Sequence, residues 1–255
     1  MIKQRMIYQI LLATLLFGIT SPLMSQTVWS VSTQRKAVAF TFDDGPKPEH
    51  ALPLLDMLNE LQIKATFFLV GQEIKNQIDI VKRISDQGHE VANHSYTHRR
   101  FPPLSPADMS QELQQTNALI RRATGRSPRF FRPPGGQFNP AIVAMATSHG
   151  LTTILWDVNA KDYTTDPTRF PIPDEWRRPS GVIHPRDAIT EAILQDVKPG
   201  SIVLMHNGGD ILRALPKIVS QLRGKGYEIV TVGELMQMGV PVSGSSHYSS
   251  YHVPD

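Results

Sequence analysis

Ala37-Val38-Ala39-Phe40-Thr41-Phe42-Asp43-Asp44-Gly45-Pro46 joins an apolar run to two adjacent carboxylates and a turn. The run 37–40 has the character of a buried strand, and Gly45-Pro46 ends it. The paired charges therefore fall where a strand opens into a loop. Neighbouring side chains of an extended segment point to opposite faces, which leaves one Asp to hold a metal while the other handles a proton. For this stretch by itself, an Asp-Gly turn after an edge strand is the plain alternative.

Outward from it, further apolar runs at 65–70, 90–93, 129–131, 152–158, 201–205 and 228–232 read as strands. Helical patterns lie between them: Leu52, Leu55, Leu58 and Leu61 recur at helical spacing, as do Ile74, Ile78, Val81 and Ile84. Ser105-Pro106 supplies an N-cap and a first-turn proline for another helix, which Thr124-Gly125 ends. This alternation predicts an α/β fold with a parallel sheet of about seven strands, closed as a barrel or open, in one domain over 26–242. Two segments break the pattern. The stretch 164–186 is rich in proline, carries Trp176, Arg177 and Arg178, and reads as a long loop, either functional or disordered. The tail 243–255, rich in Ser, Tyr and His, reads as disordered.

The chain has 255 residues and no cysteine, which excludes disulfides and thiolate metal sites. A transition metal would have to use His, Asp or Glu. Residues 1–25 have the plan of a signal peptide: basic Lys3 and Arg5, an apolar stretch over 6–19, then Ser21-Pro22-Leu23-Met24-Ser25 as a cleavage region. Export to the periplasm or the medium is the expectation, with an N-terminal membrane anchor as the alternative; the stretch is short for a span. Of the net charge of +3, Lys3 and Arg5 account for two, so the remainder carries no signature of nucleic-acid binding.

Two imidazoles, His94 and His98, follow the strand 90–93 four residues apart. With an Asp from another strand end they make a two-His-one-carboxylate set, suited to catalytic zinc or non-haem iron. Arg132 stands at a third strand end, where Pro133-Pro134 enforces an extended backbone and Gly135-Gly136 permits close approach of a ligand; a guanidinium there can fork a carboxylate. Trp156-Asp157 and Asp162-Tyr163 follow the fifth run, and His206-Asn207 follows the sixth. In an α/β barrel these ends share one face, the face where catalysis occurs.

Five of these segments, 41–46, 94–98, 132–134, Asp162 and 204–206, resemble in order and spacing the motifs of the polysaccharide deacetylase family (NodB homology, carbohydrate esterase family four). The resemblance covers roughly 36–235. It implies a distorted (β/α) barrel and a metal-dependent deacetylase acting on sugars. By that resemblance Asp43 is the general base, Asp44, His94 and His98 hold one divalent ion (zinc, with cobalt, nickel or manganese as alternatives), and Arg132 orients the base. His206 is the general acid and Asp162 its carboxylate partner. Leu204 and Tyr163 wall the acetyl pocket, the Gly135 amide is the oxyanion donor, and Trp156 joins them on the substrate side. Tyr163 stands where many members have Trp, Gly135 where many have Tyr, and Asn207 where Asp is frequent. The expected substrate is an N-acetylated glycan of the chitin or peptidoglycan type. The alternatives are an O-acetyl xylan-type esterase or a non-catalytic glycan-binding protein on the same fold.

Overall fold

The structure is a computed structural model that describes residues 27–162 and 185–243, with the backbone of 177–178 and 181–182. Along the chain the elements are β1 Thr27–Val28, β2 Ser30–Ser32, β3 Ala37–Gly45, α1 Pro48–Glu60, β4 Thr66–Leu69, α2 Gly71–Lys75, α3 Ile78–Asp86, β5 Glu90–Asn93 and α4 Pro106–Thr124. Then come β6 Phe130–Phe131, a 3₁₀ turn at Pro134–Gly136, α5 Pro140–Ser148, β7 Thr152–Ile154, β8 Val158–Asn159, β9 Arg177–Arg178, β10 Gly181–Val182 and α6 Pro185–Asp196. The chain closes with β11 Ile202–His206, α7 Gly209–Gly224, β12 Glu228–Val230, α8 Val232–Leu235 and β13 Val240–Val242. The two expected caps of α4 are present: the Ser105 hydroxyl accepts from the Asp108 amide at 3.2 Å, and Gly125 ends the helix with a left-handed φ of 72°.

Side-chain alternation along β3 sorts the core into an outside and an inside. Val38, Phe40 and Phe42 pack with Leu54, Leu55 and Leu58 of α1 and with Ile211, Leu215 and Ile218 of α7. Ala37 and Ala39, one step out of phase, pack with Phe68, Ala92, Phe130, Ile154 and Ile202 in a second cluster drawn from the other strands. Sheet residues thus face helices on one side and each other on the other, as a curled sheet requires. The α8 residues Val232 and Leu235 close the second cluster.

Among the described residues the main sheet has nine strands, all pairs parallel, in the order β1-β7-β6-β5-β4-β3-β11-β8, with β12 beside the first half of β3. Each of the seven expected runs carries strand. The run 152–158, however, is two strands rather than one: β7 lies beside one edge and β8 forms the other. Only residues 155–157 join them, a span of at most about 14 Å between Ile154 and Val158, so the sheet has to curl until its edges nearly meet. The joining segment is held to a strand on each side: the Leu155 amide donates to Val28 O at 2.7 Å, continuing the β7–β1 pairing, and the Asp157 amide to Ile202 O at 3.2 Å, beside the β8–β11 pairing. Asp157, a candidate for the site in the sequence, is used here instead. Its carboxylate accepts from the Ile202 amide at 2.8 Å and the Ser201 hydroxyl at 3.0 Å, and burial raises its pKa. The expected leader 1–25, most of the tail, Tyr163 and Trp176 lie outside the described residues. Within 164–186 the described backbone is the antiparallel pair β9–β10 and the first two residues of α6.

At the far end of the barrel His89 is buried. Its Nδ1 accepts from the Ala65 amide at 3.2 Å, while Nε2 has no hydrogen-bond partner. Burial, with Lys64 nearby, lowers its pKa from 6.5 to about 4. The unfolded chain therefore takes up a proton below pH 6.5 that the folded chain refuses until about pH 4, and stability falls as pH falls across that window. Between pH 7 and pH 4.5, urea unfolding of metal-stripped protein should register an acid-induced loss about 2–3 kcal/mol smaller in His89→Gln than in the wild type.

Candidate active site

The inward-facing row of each strand, continued past its C-terminal end, delivers the candidate residues. On β3 the row is Ala37, Ala39, Thr41, Asp43; on β11 it is Ile202, Leu204, His206, with Leu204 beside Thr41 and His206 beside Asp43. Ala92 leads in the same way to His94, Phe130 to Arg132 and Ile154 to Trp156. The site is thus the top layer of the barrel interior, at the end where parallel α/β barrels place their chemistry.

Arg132 has no solvent exposure. Its Nη1 donates to Asp43 Oδ1 at 2.7 Å and to the Thr41 hydroxyl at 2.8 Å. Nη2 donates to Leu155 O at 3.0 Å and Nε to Ile154 O at 3.3 Å. The guanidinium lies 4.0 Å from the centroid of Phe68 and 5.4 Å from that of Trp156, a cation–π arrangement strengthened by desolvation. The sequence pointed Trp156 towards substrate; in the fold its ring lies over Arg132.

Alternation alone would send Asp44 away from Asp43, but the register of β3 against β4 shifts between Asp43 and Gly45, and Asp44 takes a left-handed φ of 73°. This bulge turns both carboxylates to the same site. Asp44 Oδ1 lies 3.0 Å from His98 Nε2 and 3.4 Å from His94 Nε2, while Asp43 Oδ2 is 3.7 Å from His94 Nε2. The ligand atoms of Asp44, His94 and His98 all fall within 4.8 Å of one another. Asp44 Oδ1 is buried and lacks a hydrogen bond of good geometry, so these atoms converge on a common point rather than pairing off. His94 Nδ1 lies 2.8 Å from Arg132 O; it must donate there, which leaves the Nε2 lone pair for a metal. This donor set, two imidazoles and one carboxylate with no thiolate, fits a divalent transition ion in an open site. Burial raises the pKa of Asp44, but His94 and His98 outweigh it and hold the carboxyl well below the usual range.

Beside this triad, Asp162 grips His206 twice: Oδ1 accepts from His206 Nδ1 at 2.9 Å and Oδ2 from the His206 amide at 2.6 Å. Burial would lower the imidazole pKa, but the Asp162 carboxylate, with Asp44 and Asp43 adding to it, more than offsets it and raises it to about 9. Leu204 is 4 % exposed, two residues back on the same face. Gly135 sits exposed on the 3₁₀ turn after Arg132, with a φ of 62°. The fold therefore brings Asp43, Asp44, His94, His98, Arg132, Asp162 and His206 together. Sequence reasoning missed Thr41 and Phe68, which hold Arg132; Thr41 carried a signal, since it lies two residues before Asp43 on one strand.

The sequence profile of the polysaccharide deacetylase family matches residues 30–154. A peptidoglycan-N-acetylglucosamine deacetylase of Bacillus cereus is 32% identical over 213 residues, covering 82% of this chain and 92% of that protein. A chitooligosaccharide deacetylase of Bradyrhizobium sp. is 32% identical over 216 residues, 78% of this chain and 90% of that protein. The chain belongs to the polysaccharide deacetylase family. Among solved structures, a family 4 acetyl xylan esterase from Clostridium thermocellum in complex with a cobalt ion superposes with a TM-score of 0.68 at 30% identity, covering 82% of this chain and 94% of that one. A CE4 family pseudoenzyme from Bacillus anthracis gives 0.73 at 30% identity, covering 84% and 70%. The fold thus accommodates an inactive member, and activity has to be argued from side chains.

Because Arg132 is shut off from water, removing it leaves Asp43 as an uncompensated buried charge. Arg132→Met should lower the unfolding free energy by about 3–5 kcal/mol, read from urea denaturation at neutral pH. Arg132→Lys should recover only part of it, since an ammonium cannot reproduce the planar fork.

Proposed function

We propose that this chain is an exported, metal-dependent hydrolase that removes acetyl groups from an N-acetylated glycan of the peptidoglycan or chitooligosaccharide type. One observation carries the reading. The Asp43–Arg132 pair and the His206–Asp162 pair flank the Asp44–His94–His98 cluster, so a charged carboxylate and a protonated imidazole stand side by side on β3 and β11. A base must be ionised and an acid protonated at one pH; Asp43 has a cation as its partner, and Asp162 raises the pKa of His206. The leading segment, basic then apolar, supports export, as do relatives named for cell-wall or oligosaccharide substrates.

Asp44, His94 and His98 would hold the ion, with zinc the best match to the donor set. When bound, it supplies a Lewis acid that polarises the acetyl carbonyl and acidifies water. Asp43, aimed by Arg132, takes a proton from the attacking water as the new carbon–oxygen bond forms. His206 gives its Nε2 proton to the sugar nitrogen as the carbon–nitrogen bond breaks, leaving acetate and a free amine. Asp162 holds the imidazole by Nδ1 and favours its protonated form. The Gly135 amide serves as an oxyanion donor, and Leu204 forms a wall of the acetyl pocket.

The test is acetate release from chitooligosaccharides, peptidoglycan and acetylxylan, with metal content measured on the same sample. Release from the first two at unchanged glycan length supports the proposal, and preference for acetylxylan would make the protein an O-acetyl esterase. Metal-loaded protein releasing no acetate would make it an inactive family member. Asp43→Asn should retain metal and lose about 10²–10⁴-fold in kcat. If Asp43→Asn shed the metal while Asp44→Asn kept it, the roles of the two carboxylates would be exchanged.

A further inference from the structure

Glu112 projects from α4 and is 5 % exposed. Its three hydrogen bonds all go to one loop. Oε2 accepts from the amides of Tyr96 at 2.8 Å and Thr97 at 2.7 Å, and Oε1 accepts from the Thr97 hydroxyl at 2.6 Å. Its nearest cation, Arg99, reaches in from the solvent side at 3.7 Å. The loop is 94–98, which carries both histidines of the cluster.

This loop does not hold its shape by itself. Ser95 and His98 have left-handed φ values of 65° and 60°, which cost side-chain-bearing residues about 1–3 kcal/mol each. Its start is fixed by Asn93 Oδ1, which accepts from the Ser95 amide at 2.7 Å, and its end by the Ser95 hydroxyl, which accepts from the His98 amide at 3.1 Å. Between them Glu112 takes the two middle amides. The histidines differ in their need for this. His94 is 2 % exposed and bonded to Arg132 O, whereas His98 is 43 % exposed, so the aim of its ring follows the backbone beneath it.

We propose that Glu112 is a positioning residue for the metal centre: through the Tyr96 and Thr97 amides it fixes the loop that aims His98 Nε2 at Asp44. This rests on the reading that Asp44, His94 and His98 bind a metal. Groups that orient metal ligands are worth about 10–100-fold in affinity, and a glutamine can imitate this one. Its carbonyl accepts the two amides and its NH₂ donates to the Thr97 oxygen.

The experiment is competition for zinc between a chromophoric chelator and the zinc-loaded full chain, for wild type, Glu112→Ala, Glu112→Asp, Glu112→Gln and His98→Ala. Thermal unfolding of the stripped forms identifies those that fold. Glu112→Ala should bind zinc about 10–100-fold more weakly, and Glu112→Gln should recover most of the loss. Glu112→Asp, one methylene too short to reach both amides, should resemble Glu112→Ala and decides the matter if the alanine variant does not fold. Folded Glu112→Ala or Glu112→Asp with wild-type zinc affinity would overturn the proposal even if its melting temperature fell, because Glu112 would then be structural only. If wild type and His98→Ala hold zinc equally, the metal reading itself is wrong.

Discussion

A guanidinium sealed from water must find its acceptors in the protein, since an unpaired buried charge is among the most expensive defects a fold can carry. Arg132 meets that demand with partners from across the barrel: Asp43 and Thr41 on β3, the carbonyls of Ile154 and Leu155 where the chain leaves β7, and the rings of Phe68 and Trp156. It thereby ties β6 to β3 through the interior and anchors the segment that crosses the seam. The carboxylate proposed to do chemistry is one of the groups that neutralises this charge, so folding and the orientation of Asp43 are one problem with one solution.

The second consequence is electrostatic. Asp43 and His206 are neighbours in register. Here each has its own counter-charge, Arg132 for the carboxylate and Asp162 for the imidazole. The Asp162 counter-charge raises the pKa of His206, which keeps a proton on the imidazole near neutral pH beside a carboxylate.

Much of this was legible in the sequence because strands write their function at period two. Asp43, His94, Arg132 and His206 each end an apolar run, and parallel strands collect such ends on one face. The split of 152–158 was not legible, since the apolar run continues unbroken and only closure of the barrel decides where the chain leaves the sheet. Nor was the bulge at Asp44, where alternation predicts the wrong face and the register shift corrects it. Glu112 left a trace that was overlooked: it falls with Met109, Thr116, Ile120 and Ala123 on the buried stripe of α4, where a charged residue requires a partner.

Five non-glycine residues in the described chain take left-handed backbone angles, and four of them, Asp44, Ser95, His98 and Lys161, lie in or beside the site. Glycine or asparagine would adopt those angles at less cost. The most stable sequence for this backbone is therefore not the one the chain carries. Selection for thermal stability alone would favour replacing Asp44 and His98 and would dissolve the Asp44–His94–His98 cluster while leaving the barrel intact. An engineer working on this scaffold would have to shield those positions from any consensus or stability-guided search.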